Sequence, residues 1–155
     1  MTDKIQVGEF MKRVSEKGMV MTLEPVREMC RLLGNPQSRI PCVHIAGTNG
    51  KGSTVEYISN ALILSGFRTG QFTSPFITHY PDRIRINGRE IDEESLCEIA
   101  ETVKNAADSR DYSQFEITMA IAMLWYVREK CDIVVLEVGI GGLLDCTNVI
   151  PSPVA

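Results

Sequence analysis

Lys51 stands in the run Gly47-Thr48-Asn49-Gly50-Lys51-Gly52-Ser53-Thr54, directly after the apolar stretch Val43-His44-Ile45-Ala46. Glycine, hydroxyl and ammonium groups at this density suit one task, which is holding an anion. Glycines let a backbone bend and approach phosphate oxygens without a Cβ clash. Amides at a helix start converge on one point, with the helix dipole behind them. Lys51 adds a mobile positive charge for β and γ phosphates. The run is a variant of the pattern G-x-x-x-x-G-K-[ST]. Ile45 takes the early glycine position and Gly52 follows the lysine, so the hydroxyls arrive one and two places late, at Ser53 and Thr54. A ligand-free glycine turn is the plainer alternative. The strand-like residues before the run and the helix-like residues after it favour nucleotide.

Two further stretches belong with this loop. Glu137 ends the apolar run Ile133-Val134-Val135-Leu136. A carboxylate at the end of a strand covered on both faces needs a partner, because an unpaired buried charge costs several kcal/mol. Mg²⁺ beside a triphosphate is one such partner, and the amides of Gly139-Ile140-Gly141-Gly142 are the structural alternative. Thr73-Ser74-Pro75 follows another short strand and offers a hydroxyl as a metal ligand or, more simply, a Ser-Pro turn.

These residues need elements to carry them. Val7, Phe10, Met11 and Val14 fall at helical spacing. Thr22 is placed to cap a second helix bearing Val26, Met29, Cys30 and Leu33. Pro41 to Ala46 reads as a buried strand, and Val55, Ile58 and Leu62 mark the helix after the glycines. Arg68 to Phe72 predicts a strand, and Arg83 to Ile91 a hairpin turning at Asn87-Gly88. Asp92 is placed to cap a helix with Leu96, Ile99, Ala100 and Val103. A helix over about Phe115 to Lys130 is apolar around most of its circumference and therefore central. Ile133 to Val138 has the near-continuous apolarity of a parallel strand. The predicted fold is α/β: a P-loop-type layered sheet, mostly parallel, with helices on both faces and a small hairpin. Ligands are expected beyond the strand carboxyl ends.

Composition agrees with one globular domain of 155 residues, 44% hydrophobic and 23% charged. The net charge of -4 argues against nucleic acid as the main partner. Five scattered cysteines with no Cys-x-x-Cys pair suit reduced thiols better than a disulfide frame or zinc. The first residues have no apolar signal core, and no apolar run reaches membrane-spanning length, so a cytoplasmic location is expected.

Four motifs in order resemble the folylpolyglutamate synthase/dihydrofolate synthase family, relatives of the Mur peptide ligases. They are His44-Ile45-Ala46-Gly47-Thr48-Asn49-Gly50-Lys51-Gly52-Ser53-Thr54, Phe72-Thr73-Ser74-Pro75-Phe76-Ile77, Glu137-Val138-Gly139-Ile140-Gly141-Gly142 and Asp145-x-Thr147-Asn148-Val149. Arg83 to Gly88 and Phe115-Glu116 are also similar. The resemblance implies an ATP-dependent amide ligase that uses Mg²⁺ and joins L-glutamate to a folate or dihydropteroate carboxylate through an acyl phosphate. It implies that residues 47–54 cradle the triphosphate and that Ser74 and Glu137 bind Mg²⁺, with Lys51 and Glu137 the catalytic pair. It implies a pterin site at Met19, Val20, Met21, Ser113, Gln114, Phe115, Glu116, Leu144, Asp145 and Cys146.

Phe76 and Leu143 depart from the His and Arg of many members. The family also implies a longer protein, monomeric at full length. Its further metal-binding histidine and smaller C-terminal domain are not among these residues, which would form an incomplete N-terminal ATP-binding domain unable to complete catalysis alone. In the family another core strand begins near Pro151 to Ala155. Two alternatives stay open: a Mur-type ligase for a cell-wall precursor, and a stand-alone nucleotide-binding module. Lys51-Gly52-Ser53 favours the folate branch over the cell-wall branch.

Overall fold

The computed structural model describes residues 22–107 and 112–155. The helix expected from Val7 to Val14, and Met19, Val20 and Met21, lie outside the described residues. The first described helix is α1, Glu24–Leu32, which buries Val26, Met29 and Cys30. Thr22 falls one position short of the cap. Leu23 is the N-cap, although the Thr22 hydroxyl still accepts the Glu24 amide at 3.2 Å. Pro25 sits in the first turn, where an amide would have no helical acceptor anyway.

The sheet is built from β1 (Cys42–Ile45), β2 (Thr69–Phe72), β3 (Ile84–Ile86), β4 (Arg89–Glu90) and β5 (Ile133–Glu137), in the order β1-β5-β2-β3-β4. β1, β5 and β2 run parallel, and the register sets Ile45 opposite Glu137 and Phe72 opposite Leu136. Three strand carboxyl ends therefore finish side by side. β3 and β4 add the expected hairpin antiparallel to β2. Its turn places Asn87 and Gly88 at φ of 49° and 75°, the conformation that this dipeptide tolerates. Val154 and Ala155 hydrogen-bond along the open edge of β1, through Cys42 O and the His44 amide, both at 2.8 Å.

Helices cover both faces. On one, α2 (Lys51–Leu64) lays Val55 on Val43 and Val135. On the other, α1, α3 (Glu93–Ala107) and α4 (Gln114–Arg128) close a larger core over Phe72, Ile84, Val134 and Leu136. Asp92 caps the start of α3 by accepting the Ser95 amide at 2.8 Å. The central position read from the sequence for α4 is observed: Ile117, Ile121, Met123 and Tyr126 are fully enclosed. Each such side chain contributes roughly 1.5–3 kcal/mol of burial. The phosphate loop leaves β1 between these layers and opens onto the strand ends. Among the described residues no helix is long and apolar enough to cross a membrane.

Candidate active site

The helix after the phosphate loop starts earlier than the hydroxyl residues suggested. α2 begins at Lys51, with Gly50 as its N-cap at φ 73°. An L side chain there would meet no atom within 4 Å, so the requirement is conformational rather than steric. Gly52 lies inside the first turn and does not act as a bend. The first i→i−4 bond runs from Thr54 N to Gly50 O at 2.9 Å, so the amides of Lys51, Gly52 and Ser53 precede the helical ladder. Thr54 also gives its hydroxyl proton to Gly50 O, at 2.9 Å. Ser53 is therefore the hydroxyl residue of the first turn that faces the cleft.

That cleft has a volume of about 460 Å³ and is walled by Gly50, Gly52, Ser53, Ser74, Arg85 and Glu137, among others. Gly52 brings α2 close to the acid, and a Cβ on it would stand 3.7 and 3.9 Å from the two Glu137 oxygens. Glu137 is 5% exposed and accepts one amide, Ser74 N to Oε2 at 3.0 Å. The amides of residues 139–142 expected under the structural alternative are not its partners. The Ile140 amide goes instead to Asp145 Oδ2 at 2.9 Å.

One amide leaves much of a carboxylate's acceptor capacity for a cation. Among the described residues no three His, Cys, Asp or Glu side chains gather to hold a metal. Glu137 with hydroxyl oxygens and a phosphate is a hard-oxygen donor set of the kind Mg²⁺ takes, and the residues fit it.

The sequence reading missed what braces this cleft. Glu56, one turn into α2, accepts Arg85 from β3 on one oxygen and Gln71 Nε2 from β2 at 3.4 Å on the other. The hairpin pattern over Arg83 to Ile91 carries no signal that pairs Arg85 with a residue of α2. The loop after Ser74 is tied inward by Asp82, whose Oδ2 accepts Ile77 N, Thr78 N and His79 N. His79 is exposed and bonds Glu90 at 2.7 Å.

Part of the second group of sequence-identified residues also converges. Glu137 leads through Val138 to Gly139, where a Cβ would stand 2.5 Å from Phe115 Cε1 and 2.9 Å from Asp145 Oδ2. Phe115 and Asp145 therefore close on the same glycine, about two residues or roughly 7 Å of chain from Glu137. Ser113 and Glu116 form the capping box that starts α4, with Glu116 Oε2 accepting the Ser113 amide at 2.7 Å and its hydroxyl at 2.8 Å. Glu116 Oε1 is buried with no hydrogen-bond partner. Gln114 is half-buried, and Leu144 is 42% exposed.

Cys146 is buried, and burial pushes its thiol well above the ordinary 9.0, so it is not a nucleophile at neutral pH. All five cysteines are free. Arg83, taken as the start of the hairpin, is instead 6% exposed, with its guanidinium carbon 5.5 Å from the Phe115 ring centre and 5.9 Å from that of Phe72. No spacing signal distinguishes it from Arg85.

Asp145 is held firmly. Its Oδ1 accepts the Thr147 amide at 3.0 Å and the Thr147 hydroxyl at 2.5 Å, besides the Ile140 contact on Oδ2. Thr147 Oγ1 lies 2.8 Å from His44 Nε2 on β1. This contact gives the partly buried His44 ring its polar partner. Burial lowers its pKa from 6.5, with Asp145 opposing.

No family model matches the chain. The dihydrofolate synthase/folylpolyglutamate synthase of Bacillus subtilis is 39% identical over 140 residues, covering 86% of this chain and 33% of the relative. The crystal structure of folylpolyglutamate synthase from Thermotoga maritima superposes with a TM-score of 0.89 at 36% identity, over 98% of this chain and 36% of that one. A complex of folylpolyglutamate synthase with AMPPCP and folate gives a TM-score of 0.87 at 32% identity, over 97% and 38%. The chain thus spans about a third of the length of the proteins it matches. Sequence and fold together place these 155 residues with the N-terminal third of the folylpolyglutamate synthase/dihydrofolate synthase family.

Proposed function

We propose that this chain supplies the nucleotide and pterin sites of an ATP-dependent ligase that joins L-glutamate to a folate or dihydropteroate carboxylate. The observation that carries the reading is the adjacency of two sites along one strand end. The phosphate loop and Glu137 wall a single cleft, and two residues further on Gly139 is closed by Phe115 and Asp145. A substrate held by its ring at Phe115 and Asp145 would present its far end towards the triphosphate.

Phosphoryl transfer depends on position and charge more than on covalent help from the protein. The amides of residues 51–53 and the Lys51 ammonium draw in the triphosphate and offset its charge, so that a second anion can approach. A substrate carboxylate oxygen then attacks the γ-phosphorus. The bond to the bridging oxygen breaks, ADP leaves, and an acyl phosphate forms. The glutamate amino nitrogen attacks the acyl carbon, loses a proton and expels inorganic phosphate. Glu137 and Ser74 would hold Mg²⁺, which when bound screens phosphate charge as a Lewis acid. At the other end, Phe115 offers a ring face and Asp145 an acceptor for ring N–H donors. A cytoplasmic location fits such soluble substrates.

Equilibrium binding tests the reading. The chain is expected to bind Mg·AMPPCP and dihydropteroate, each saturably. Preference for a UDP-sugar carboxylate over dihydropteroate would move it to the cell-wall ligases. Nucleotide binding with no affinity for either carboxylate would make it a nucleotide-binding module.

A further inference from the structure

A chain of hydrogen bonds joins Asp145, through Thr147, to His44 on β1, the strand that leads into the phosphate loop. Thr147 Oγ1 has one proton, and at 2.5 Å from Asp145 Oδ1 it is donated there. The hydroxyl must then accept from His44 Nε2 at 2.8 Å. That assigns the proton to Nε2 of His44, whatever the charge of the ring. Thr147 has no exposed surface and Asp145 is 6% exposed, so water cannot readily replace either bond. His44 sits on β1, the strand whose end becomes the phosphate loop.

We infer that His44 and Thr147 are positioning residues: through Thr147, the strand carrying the phosphate loop fixes the Asp145 carboxylate for ring N–H donors of the pterin. This rests on the proposal that Asp145 faces that ring. Three protein donors occupy Asp145, two on Oδ1 and one on Oδ2. Oδ2 keeps the greater free acceptor capacity, and the hydroxyl bond decides where it points. Neither His44 nor Thr147 needs to touch the ligand.

Dihydropteroate and Mg·AMPPCP binding to the chain, measured separately in four single variants and one double variant, test this. Asp145→Asn is expected to weaken dihydropteroate binding at least tenfold, as loss of a charged acceptor does. Thr147→Val, nearly isosteric, is expected to weaken it about fivefold, with nucleotide affinity unchanged. Thr147→Ser, which restores the hydroxyl, should bind as the parent does. His44→Leu should weaken dihydropteroate binding by itself and add nothing on the Thr147→Val background, because its effect passes through that hydroxyl. Parent-like dihydropteroate binding in Thr147→Val, or equal losses for dihydropteroate and nucleotide in Val and Ser alike, overturns the positioning role and leaves the pterin site standing. Parent-like binding in Asp145→Asn, or no dihydropteroate binding by the parent, instead removes the pterin site and the inference with it.

Discussion

The phosphate loop comes close to Glu137 through Gly52, and the Phe115–Asp145 cluster through Gly139, but the two are built from opposite materials. The loop is exposed and made of main chain: Gly50 turns it, and amides of α2 face the cleft. The cluster is enclosed and made of side chains brought from α4, from the segment after β5 and from β1. A main-chain site tolerates change in its side chains and fails when its backbone conformation is forbidden. A side-chain site fails when one atom too many enters it. The two glycines make the contrast testable, since Gly50 has space but a left-handed φ, whereas Gly139 has no space.

The largest effect expected is that of Gly139→Ala. Its Cβ would stand 2.5 and 2.7 Å from the Phe115 ring and 2.9 Å from Asp145, so one of them must move. Overpacking of this kind costs about 1–3 kcal/mol, and urea unfolding should read that loss. Dihydropteroate binding should fall with nucleotide binding retained. Unaltered stability would mean that the cluster is looser than its contacts imply.

Gly50→Ala comes next. With nothing near the new methyl, the cost is that of a left-handed residue, about 1–2 kcal/mol. Mg·AMPPCP affinity should drop while dihydropteroate binding holds, the reverse of Gly139→Ala. Gly50→Asn should recover much of the loss, because asparagine visits that conformation readily. If Asn behaves like Ala, the loop needs glycine for another reason.

How much was legible follows from the same contrast. Local rules revealed the loop, the Asn87-Gly88 turn, the Asp92 cap and the central helix, because each is decided within a few residues. The start of α2 at Lys51 was not legible, because the left-handed Gly50 takes the N-cap role and Thr54 turns its hydroxyl back to Gly50 O. The amide partner of Glu137 is 63 positions away at Ser74, and the His44–Thr147 contact spans 103. No periodicity encodes such pairs. Arg83 differs from Arg85 only in the packing that buries it between Phe115 and Phe72. The resemblance to a family supplied Phe115 and Asp145, which spacing alone would have left as core and turn.

The smallest effect concerns pH. Burial lowers the pKa of His44 below its ordinary 6.5. The unfolded chain then takes up the proton first, so this contribution to stability is intact above pH 6.5 and declines as pH falls towards the lower folded value. Urea midpoints across that window should slope less in His44→Gln than in the parent. Parallel slopes would assign the acid sensitivity to other groups.

The central claim is that main-chain amides, Lys51 and a cation on Glu137 together hold a triphosphate. Calorimetric titration of Mg·AMPPCP into the parent, Lys51→Ala and Glu137→Gln chains, with and without Mg²⁺, tests it most directly. The account predicts saturable binding by the parent and at least tenfold weaker binding for Lys51→Ala, about the 1.4 kcal/mol of one lost charge contact. It also predicts a magnesium enhancement in the parent that is absent from Glu137→Gln. Equal affinities in all three chains, with magnesium making no difference, would contradict it.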